Sequence, residues 1–174
     1  QPIISSDDGS SGHVSLKDIT INSGAELTIN KESSLTLSGN FTNNGTVTLN
    51  SGLVSGSSPA TSSFSSLIVD GTSSGNITYN RYVNIAVDSG SNEWDLVGSP
   101  VDGLSISSFV TTNSSAIATS GSTYALGYYD NSNDSWTNYN TSTVGGAGNL
   151  TLGKGYQMAS ASGATMAFTG TVAT

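Results

Sequence analysis

Residues 27–49 read LTINKESSLTLSGNFTNNGTVTL, so that short apolar-Thr-apolar phrases alternate with polar turns of Asn, Ser and Gly. The phrase recurs through the first half of the chain, about eight residues apart at the start, at Ile19–Ile21, Leu27–Ile29, Leu35–Leu37, Val47–Leu49, Leu67–Val69 and Ile77–Tyr79. Successive side chains of a strand point to opposite faces. We therefore predict short strands that bury their apolar residues and turn Thr outward.

Two architectures fit this repeat. In a parallel β-solenoid, each phrase is one side of a coil and like residues stack in ladders from coil to coil. In an antiparallel meander, turns such as Asn44-Gly45 join hairpins instead. Short phrases that resemble one another favour the solenoid. The Ser-rich stretch 55–66, which contains Pro59, is predicted to be a loop projecting from a coil or a change of direction.

The composition predicts an all-β chain. Of 174 residues, 34% are hydrophobic and only 9% are Asp, Glu, Lys or Arg, against about a quarter in a typical soluble domain. Ser, Thr, Asn and Gly, which favour strands, turns and caps over helices, take their place. A chain of this length and hydrophobic content can bury a core.

Changes in composition and apolar pattern along the sequence divide the chain into three parts. Residues 1–13 are a polar N-terminal arm, 14–83 the repetitive β-solenoid, and 84–174 a β-sandwich or jelly-roll-like domain in which aromatic residues appear. One helical turn is predicted at Leu104–Val110, capped by Ser105 or Ser107. The strands predicted in the last part are Val83–Val87, Trp94–Gly98, Tyr124–Tyr129, Ser135–Tyr139, Gly155–Ala159 and Thr165–Thr169.

Charge and cysteine content exclude several classes of partner and site. Twelve acidic and four basic residues give a net charge of −8, which disfavours nucleic acid and anionic membrane surfaces. The chain has no Cys, so it can form neither a disulfide nor a thiolate metal site. No apolar run approaches the length of about 20 residues that spans a bilayer. We predict no nucleic-acid partner and no membrane insertion.

The sequence contains few of the residue combinations that catalytic sites require. The single His, His13, lies beside Asp7 and Asp8 in the polar arm, without the partners of a nucleophile triad or a zinc site. Glu93 and Asp95 flank Trp94 and would share a strand face about 7 Å apart, near the spacing of a glycosidase pair. Strand alternation explains the same pattern if Trp94 points into the core. We predict that the chain is not an enzyme.

The second half carries two candidate binding features. Tyr128 to Trp136 is predicted to be a hairpin with a polar tip. Oxygen ligands at Asp130, Ser132 and Asp134 follow the alternating pattern by which a loop surrounds calcium, the one cofactor that the sequence suggests. A row of exposed aromatics could instead stack on sugar rings, and we name Tyr128, Tyr129, Trp136 and Tyr139 for that role. The alternative is that Trp94 and Trp136 fill the core while the tyrosines seal its edges.

The order of motifs from Ser38 to Thr174 resembles the repetitive surface proteins that Bacteroidetes export by the type IX secretion route. The motifs are SGNFTNNGTVTL at 38–49, ITYNRY at 77–82, WDLVGSPV at 94–101, Tyr129-Asp130 with Trp136, GKGY at 153–156 and FTGT at 168–171. The resemblance implies a secreted, adhesin-like module at the bacterial cell surface, lying upstream of a sorting domain. No sorting domain follows Thr174, which suggests a fragment or a processed product.

Three functions follow as expectations. The first is a noncatalytic structural or adhesin-like module of a surface protein, with other proteins or surface glycans as partners. The second is a carbohydrate-binding module that uses the exposed aromatics. The third is the subunit of a polymerising surface fibre, since a solenoid end and the alternating segment 166–172 could pair with another copy.

Overall fold

A computed structural model describes residues 3–4, 12–53, 62–86 and 93–173. Strands account for 57% of the structure and helices for 7%, which confirms the all-β prediction. The chain divides into two compact units, 1–82 with 169–174, and 83–168. We call these the N-terminal and C-terminal units. Residues 169–174, which we predicted in the second domain, group with the first unit because the last strand runs on beside the repeat.

The strands of the repetitive part follow the predicted phrases. In chain order they are β1 (Ile3–Ile4), β2 (His13–Leu16), β3 (Ile19–Ile21), β4 (Glu26–Ile29), β5 (Ser34–Leu37), β6 (Phe41–Asn43), β7 (Thr46–Leu53), β8 (Ser62–Phe64), β9 (Ser66–Val69), β10 (Ser73–Ser74) and β11 (Asn76–Val83).

Three parallel sets of strands organise the N-terminal unit. β2, β5 and β9 form one set, β3, β6 and β10 the second, and β1, β4, β7 and β11 the third. Residues facing each other are 21 positions apart across β2 and β5, 22 across β3 and β6, and 20 across β4 and β7. Successive phrases within the described ranges therefore do not pair as hairpins, contrary to the meander alternative.

Like residues stack between neighbouring strands of the third set. Thr28, Thr48 and Thr78 are in register across β4, β7 and β11. Beside them the Asn50 amide donates to Asn30 Oδ1 at 3.3 Å and accepts from Asn80 Nδ2 at 3.1 Å. These bonds satisfy part of the polar capacity of the half-buried amides, so the ladders help to hold the register.

Burial follows the predicted alternation. Leu27 and Ile29 are buried on either side of half-buried Thr28, and β5 and β7 repeat this pattern. In β9 the outward position is held by Ile68, which is exposed. The inward residues of β9, Leu67 and Val69, are half-buried, so they contribute less fully to the core than the buried inward residues of β4, β5 and β7.

Two predictions about the N-terminal unit need correction. Ile3–Ile4, placed in the polar arm, form β1 and pair in parallel with β4, because this apolar pair extends the same set of strands. His13, also placed in the arm, begins β2. Residues 62–64 of the predicted loop form β8, antiparallel to the end of β7. Residues 1–2 and 5–11 of the arm and 55–61 of the loop lie outside the described residues.

The C-terminal unit contains both antiparallel strands and a helix. Its elements are β12 (Asp95–Gly98), β13 (Val101–Asp102), α1 (Ile106–Thr112), β14 (Thr119–Ser120), β15 (Thr123–Asp130), β16 (Ser135–Asn140), a 3₁₀ turn (Val144–Gly146), β17 (Gly155–Met158) and the first part of β18 (Ala164–Val172). A five-stranded sheet runs in the order β12-β17-β15-β14, with β16 paired to β15. Of the predicted strand Val83–Val87, Val83 ends β11, and residue 87 lies outside the described residues.

The helix is anchored at both ends. Ser105 caps its start, since its hydroxyl oxygen accepts from the Ser108 amide at 3.1 Å, as predicted for the helical turn at this position. At its end, buried Asn113 donates to the carbonyls of Phe109 and Ala167 and accepts from the Ala167 amide. Phe109 packs on Phe168 with ring centroids 4.6 Å apart. No helix in the described part of the chain has the length and apolar character that crossing a membrane requires.

Candidate ligand-binding face of the C-terminal unit

The four aromatic residues predicted as one exposed row lie on opposite faces of the five-stranded sheet. Tyr129 and Trp136 face each other across the hairpin and make an edge-to-face contact at 5.3 Å. Their side chains are 38% and 45% exposed. Tyr128 and Tyr139 meet at 5.5 Å, with Tyr128 half-buried and Tyr139 buried. The strand period of two makes this division unavoidable, because Tyr128 and Tyr129 are adjacent in sequence.

The alternative prediction, that both tryptophans fill the core, is wrong. Trp136 is exposed on the hairpin, and Trp94, which lies just before β12, is 37% exposed. The core of the unit is built instead from smaller residues and from Tyr156, Phe109 and Phe168. Both tryptophans are therefore available to a ligand.

The face that carries Tyr129 and Trp136 continues across the sheet. Gln157 Nε2 donates to Asn138 Oδ1 at 2.6 Å, and the bond passes over Gly127, which is paired with both residues. A Cβ at Gly127 would collide with the Asn138 amide oxygen and lie 2.6 Å from the Thr137 carbonyl oxygen. We define the open face by these side chains and their exposed neighbour on β12: Tyr129, Trp136, Asn138, Gln157 and Leu96.

The opposite face holds a tyrosine cluster with a lysine above it. Lys154 Nζ lies 4.5 Å from the centroid of the Tyr128 ring and 5.6 Å from that of Tyr156, within the range of a cation–π contact. The Tyr156 hydroxyl accepts from the Thr151 amide at 2.9 Å. Lys154 thus covers the aromatic cluster.

Burial, followed by repulsion from the Tyr156 and Tyr128 phenolates, raises the pKa of Tyr139 to about 12. An unfolded tyrosine ionises near about 10. The folded chain therefore keeps a proton that the unfolded chain releases, and stability that is fully present below pH 10 is lost as the pH rises through 12.

We expect Tyr139→Phe to reduce this alkaline loss. The fall in melting temperature between pH 9.5 and 12, followed by circular dichroism, should be smaller in Tyr139→Phe than in the wild type. Tyr124→Phe removes a more exposed tyrosine of the same sheet and should fall as steeply as the wild type. Equal falls in all three proteins would contradict the prediction.

The predicted calcium loop is held by its own hydrogen bonds. Asp130 Oδ1 accepts from the Ser132 amide at 2.9 Å and hydroxyl at 2.6 Å, and Oδ2 accepts from Asn133 Nδ2 at 2.6 Å. The bonds from Ser132, with those from Asn133, lower the pKa of the Asp130 carboxyl. Asp134 turns away and accepts from the Tyr129 hydroxyl, a bond that raises the pKa of Tyr129.

The structure thus brings Asp130 and Ser132 together but directs Asp134 to the aromatic pair. No group of three or more His, Cys, Asp or Glu side chains able to hold a metal ion occurs in the residues that the structure describes. Calcium binding by Asp130, Ser132 and Asp134 stays a prediction.

Of the residues considered for catalysis, Asp95 and His13 have polar contacts within the structure. Asp95 accepts from the Asn84 amide at 2.8 Å and from Asn84 Nδ2 at 3.0 Å, whereas Glu93 is exposed. His13 Nδ1 lies 2.6 Å from Ser34 Oγ across β2 and β5. Asp7 and Asp8, its predicted neighbours, lie outside the described residues.

A groove that the sequence does not predict lies within the C-terminal unit. Trp94, Tyr124 and Asn138 line it together with residues of β14 and the start of β15. The sequence allows Trp94 to lie in the core and predicts Tyr124 only as part of a strand, because alternation alone does not tell which face of a sheet stays uncovered. A tryptophan between two acidic residues, in a chain with few charges, was the one available signal.

Comparison with known proteins adds no relative. No protein family matches the chain, and neither a curated protein nor a solved structure matches it.

Proposed function

We propose that the chain is a noncatalytic, adhesin-like module of a secreted or cell-surface bacterial protein. In this proposal a short β-solenoid in the N-terminal unit is a scaffold, and a β-sandwich-like C-terminal unit presents the contact surface. The observation that carries the proposal is the in-register parallel pairing of the repeated phrases, with its Thr and Asn ladders.

The pairing supports a solenoid because three successive strands, one from each set, make up a coil, and β2, β3 and β4 of one coil pair with β5, β6 and β7 of the next. Such a repeat buries apolar side chains only by stacking on its neighbour. The first spacing of 20 to 22 residues lengthens to 30 or 32 in the next coil, as between Asn50 and Asn80 or between Asn40 and Thr72. The added length accommodates β8 and the segment before it.

Surface chemistry supports the extracellular part of the proposal. The chain has a net charge of −8 with only 9% charged residues, and hydroxyl and amide groups supply its polar surface. The motif order between Ser38 and Thr174 resembles type IX-exported surface proteins of Bacteroidetes. We take the polar, weakly charged surface and the motif order together as support for secretion to the cell surface.

The location can be tested in the organism that encodes the chain. Antibodies raised against the purified chain should label intact cells, and brief protease treatment of those cells should remove the signal. A cytoplasmic marker protein detected on the same blots must survive the treatment. Detection of the chain only in the protease-protected fraction would overturn the proposal.

Carbohydrate binding is a second candidate function, and the exposed Tyr129–Trp136 pair favours it. An exposed aromatic pair beside two amides, Asn138 and Gln157, offers both a stacking surface and hydrogen-bonding groups. Retention of the chain on immobilised glycans, absent for a Trp94→Ala/Trp136→Ala double variant, would support this function. Failure of the wild-type chain to bind any glycan would refute it.

A further inference from the structure

The groove beside Trp94 has the dimensions of a small binding site. Its volume is about 140 Å³, close to the roughly 150 Å³ of an engineered protein cavity that binds benzene. That is the scale of one ring-sized group and too small for a folded segment. Trp94 and Tyr124 are its aromatic residues, and Ala118 and Ala125 contribute small side chains to its lining.

Uncharged polar groups complete the lining. Hydroxyls come from Thr119, Ser120 and Thr123, and an amide from Asn138. The Asn138 oxygen is occupied by Gln157 Nε2, which orients the amide and leaves its nitrogen as a donor. None of these three hydroxyls, nor the Asn138 nitrogen, makes a hydrogen bond to another residue that the structure describes. Each hydroxyl can both donate and accept.

The chemistry of the lining selects a class of ligand. Aromatic rings with a few placed polar groups are typical of small-molecule sites. No lining residue that the structure describes carries a charge, and the net charge of −8 disfavours an anion. A neutral ring with an apolar face and a rim of hydroxyls satisfies both the aromatic residues and the polar ones.

We propose that this groove binds one residue of a neutral glycan, with the apolar face of the sugar on Trp94. The sugar hydroxyls meet the Asn138 amide nitrogen and the hydroxyls of Thr119, Ser120 and Thr123. The inference rests on the carbohydrate-binding candidate function and places the binding site in the groove, whereas the sequence pointed to the hairpin.

Native affinity electrophoresis of the full chain provides the test. The probes are starch, xyloglucan, galactomannan and mixed-linkage β-glucan, each dissolved in the gel, with anionic alginate for comparison. We expect retardation by at least one neutral probe and none by alginate. Trp94→Ala should weaken binding about 10-fold or more, as truncation of a central aromatic anchor does. Leu152→Ala, which truncates an exposed apolar residue elsewhere, should stay within about twofold of the wild type.

Three further variants keep the test independent of folding. Thr123→Val preserves side-chain shape, so a weaker retardation with an unchanged melting temperature would report the lost hydroxyl. The chain has two tryptophans, so Trp136→Phe leaves Trp94 as the sole indole, and its emission should change saturably with the bound probe. In Trp94→Phe the emission of Trp136 should not change.

The outcomes separate the two proposals. Retardation that survives Trp94→Ala but is lost in Trp136→Ala would overturn the groove and leave carbohydrate binding by the hairpin standing. A response of Trp136 emission without one of Trp94 would have the same meaning. No retardation of the wild-type chain by any of the neutral probes would overturn both proposals. Retardation by alginate equal to that by the neutral probes would overturn the neutral ligand class.

Discussion

Gly75→Ala is expected to destabilise the N-terminal unit by about 3 kcal/mol or more. Gly75 joins β10 to β11 with a φ of +81°, where an L-residue with a Cβ costs about 1–2 kcal/mol. A Cβ there would also collide with the Asn43 carbonyl oxygen and lie 2.9 Å from its carbonyl carbon. A side chain can rotate away from such a collision, but a backbone carbonyl inside a paired strand cannot move without breaking its neighbours' bonds.

The backbone at Asn43 has little freedom to retreat. Asn43 is buried in β6, and its side chain donates to the Asn76 carbonyl at 2.5 Å and accepts from the Gly45 amide at 3.0 Å. Moving the backbone at Asn43 would leave buried polar groups without hydrogen-bond partners, and each such group costs about 1–3 kcal/mol. The steric and hydrogen-bonding penalties therefore add to the backbone strain.

Gly24→Ala is the matched control for this prediction. Gly24 has almost the same φ, +77°, but a Cβ there would meet nothing within 4 Å. It should cost only the backbone term of about 1–2 kcal/mol. Urea unfolding of both variants, followed by circular dichroism, measures the difference. A loss of stability in Gly75→Ala no larger than in Gly24→Ala would contradict the expected collision between a Cβ at position 75 and the Asn43 carbonyl group.

Phe168→Ala should destabilise the C-terminal unit by about 3–5 kcal/mol, the range for truncating a buried aromatic residue. Phe168 and Phe109 are both 0% exposed and pack ring against ring. The pair contributes about 0.5–1.5 kcal/mol beyond the apolar area that it buries. Truncation leaves a cavity between the strand and the helix, since Asn113 holds the helix end to the Ala167 backbone and resists collapse.

Leu96→Ala provides the comparison, because Leu96 is 68% exposed and its truncation should change stability by less than about 0.5 kcal/mol. A double-mutant cycle with Phe109→Ala would isolate the ring contact, because residues in direct contact have non-additive effects. Purely additive losses in the cycle would contradict a specific ring interaction. Equal losses for Phe168→Ala and Leu96→Ala would contradict the assigned core.

Local features were predictable from the sequence because they depend on neighbouring residues. The alternation in Leu27-Thr28-Ile29 is confirmed by the burial of both apolar residues, since strand geometry alone decides it. The cap at Ser105 is confirmed for a similar reason, because the serine hydroxyl and the amide that it accepts from are three residues apart. The hairpin between Tyr129 and Trp136 also follows from the short polar segment that joins its strands.

The candidate site was only partly predictable. The sequence singled out Tyr129 and Trp136, which are exposed and in contact, but it grouped them with Tyr128 and Tyr139 on the opposite face. The alternative interpretation placed Trp94 in the core, and neither interpretation identified the groove. Which face of a sheet is covered depends on the elements packed against it. The alternation of side chains along a strand is the same whichever of the two faces is covered.

Taken by itself, the sequence determined the β class, the strand phrases and the inward direction of their apolar residues, all of which follow from contacts between near neighbours. Only the tertiary structure decided that the phrases pair in parallel with strands 20 to 22 residues later in the first coil and 30 to 32 residues later in the next, and that Ile3–Ile4 join that pairing. It also decided that Trp94 faces solvent beside Asn138. Strand partners and exposed faces are set by contacts between residues distant in sequence, and a local pattern of one strand is compatible with several such partners.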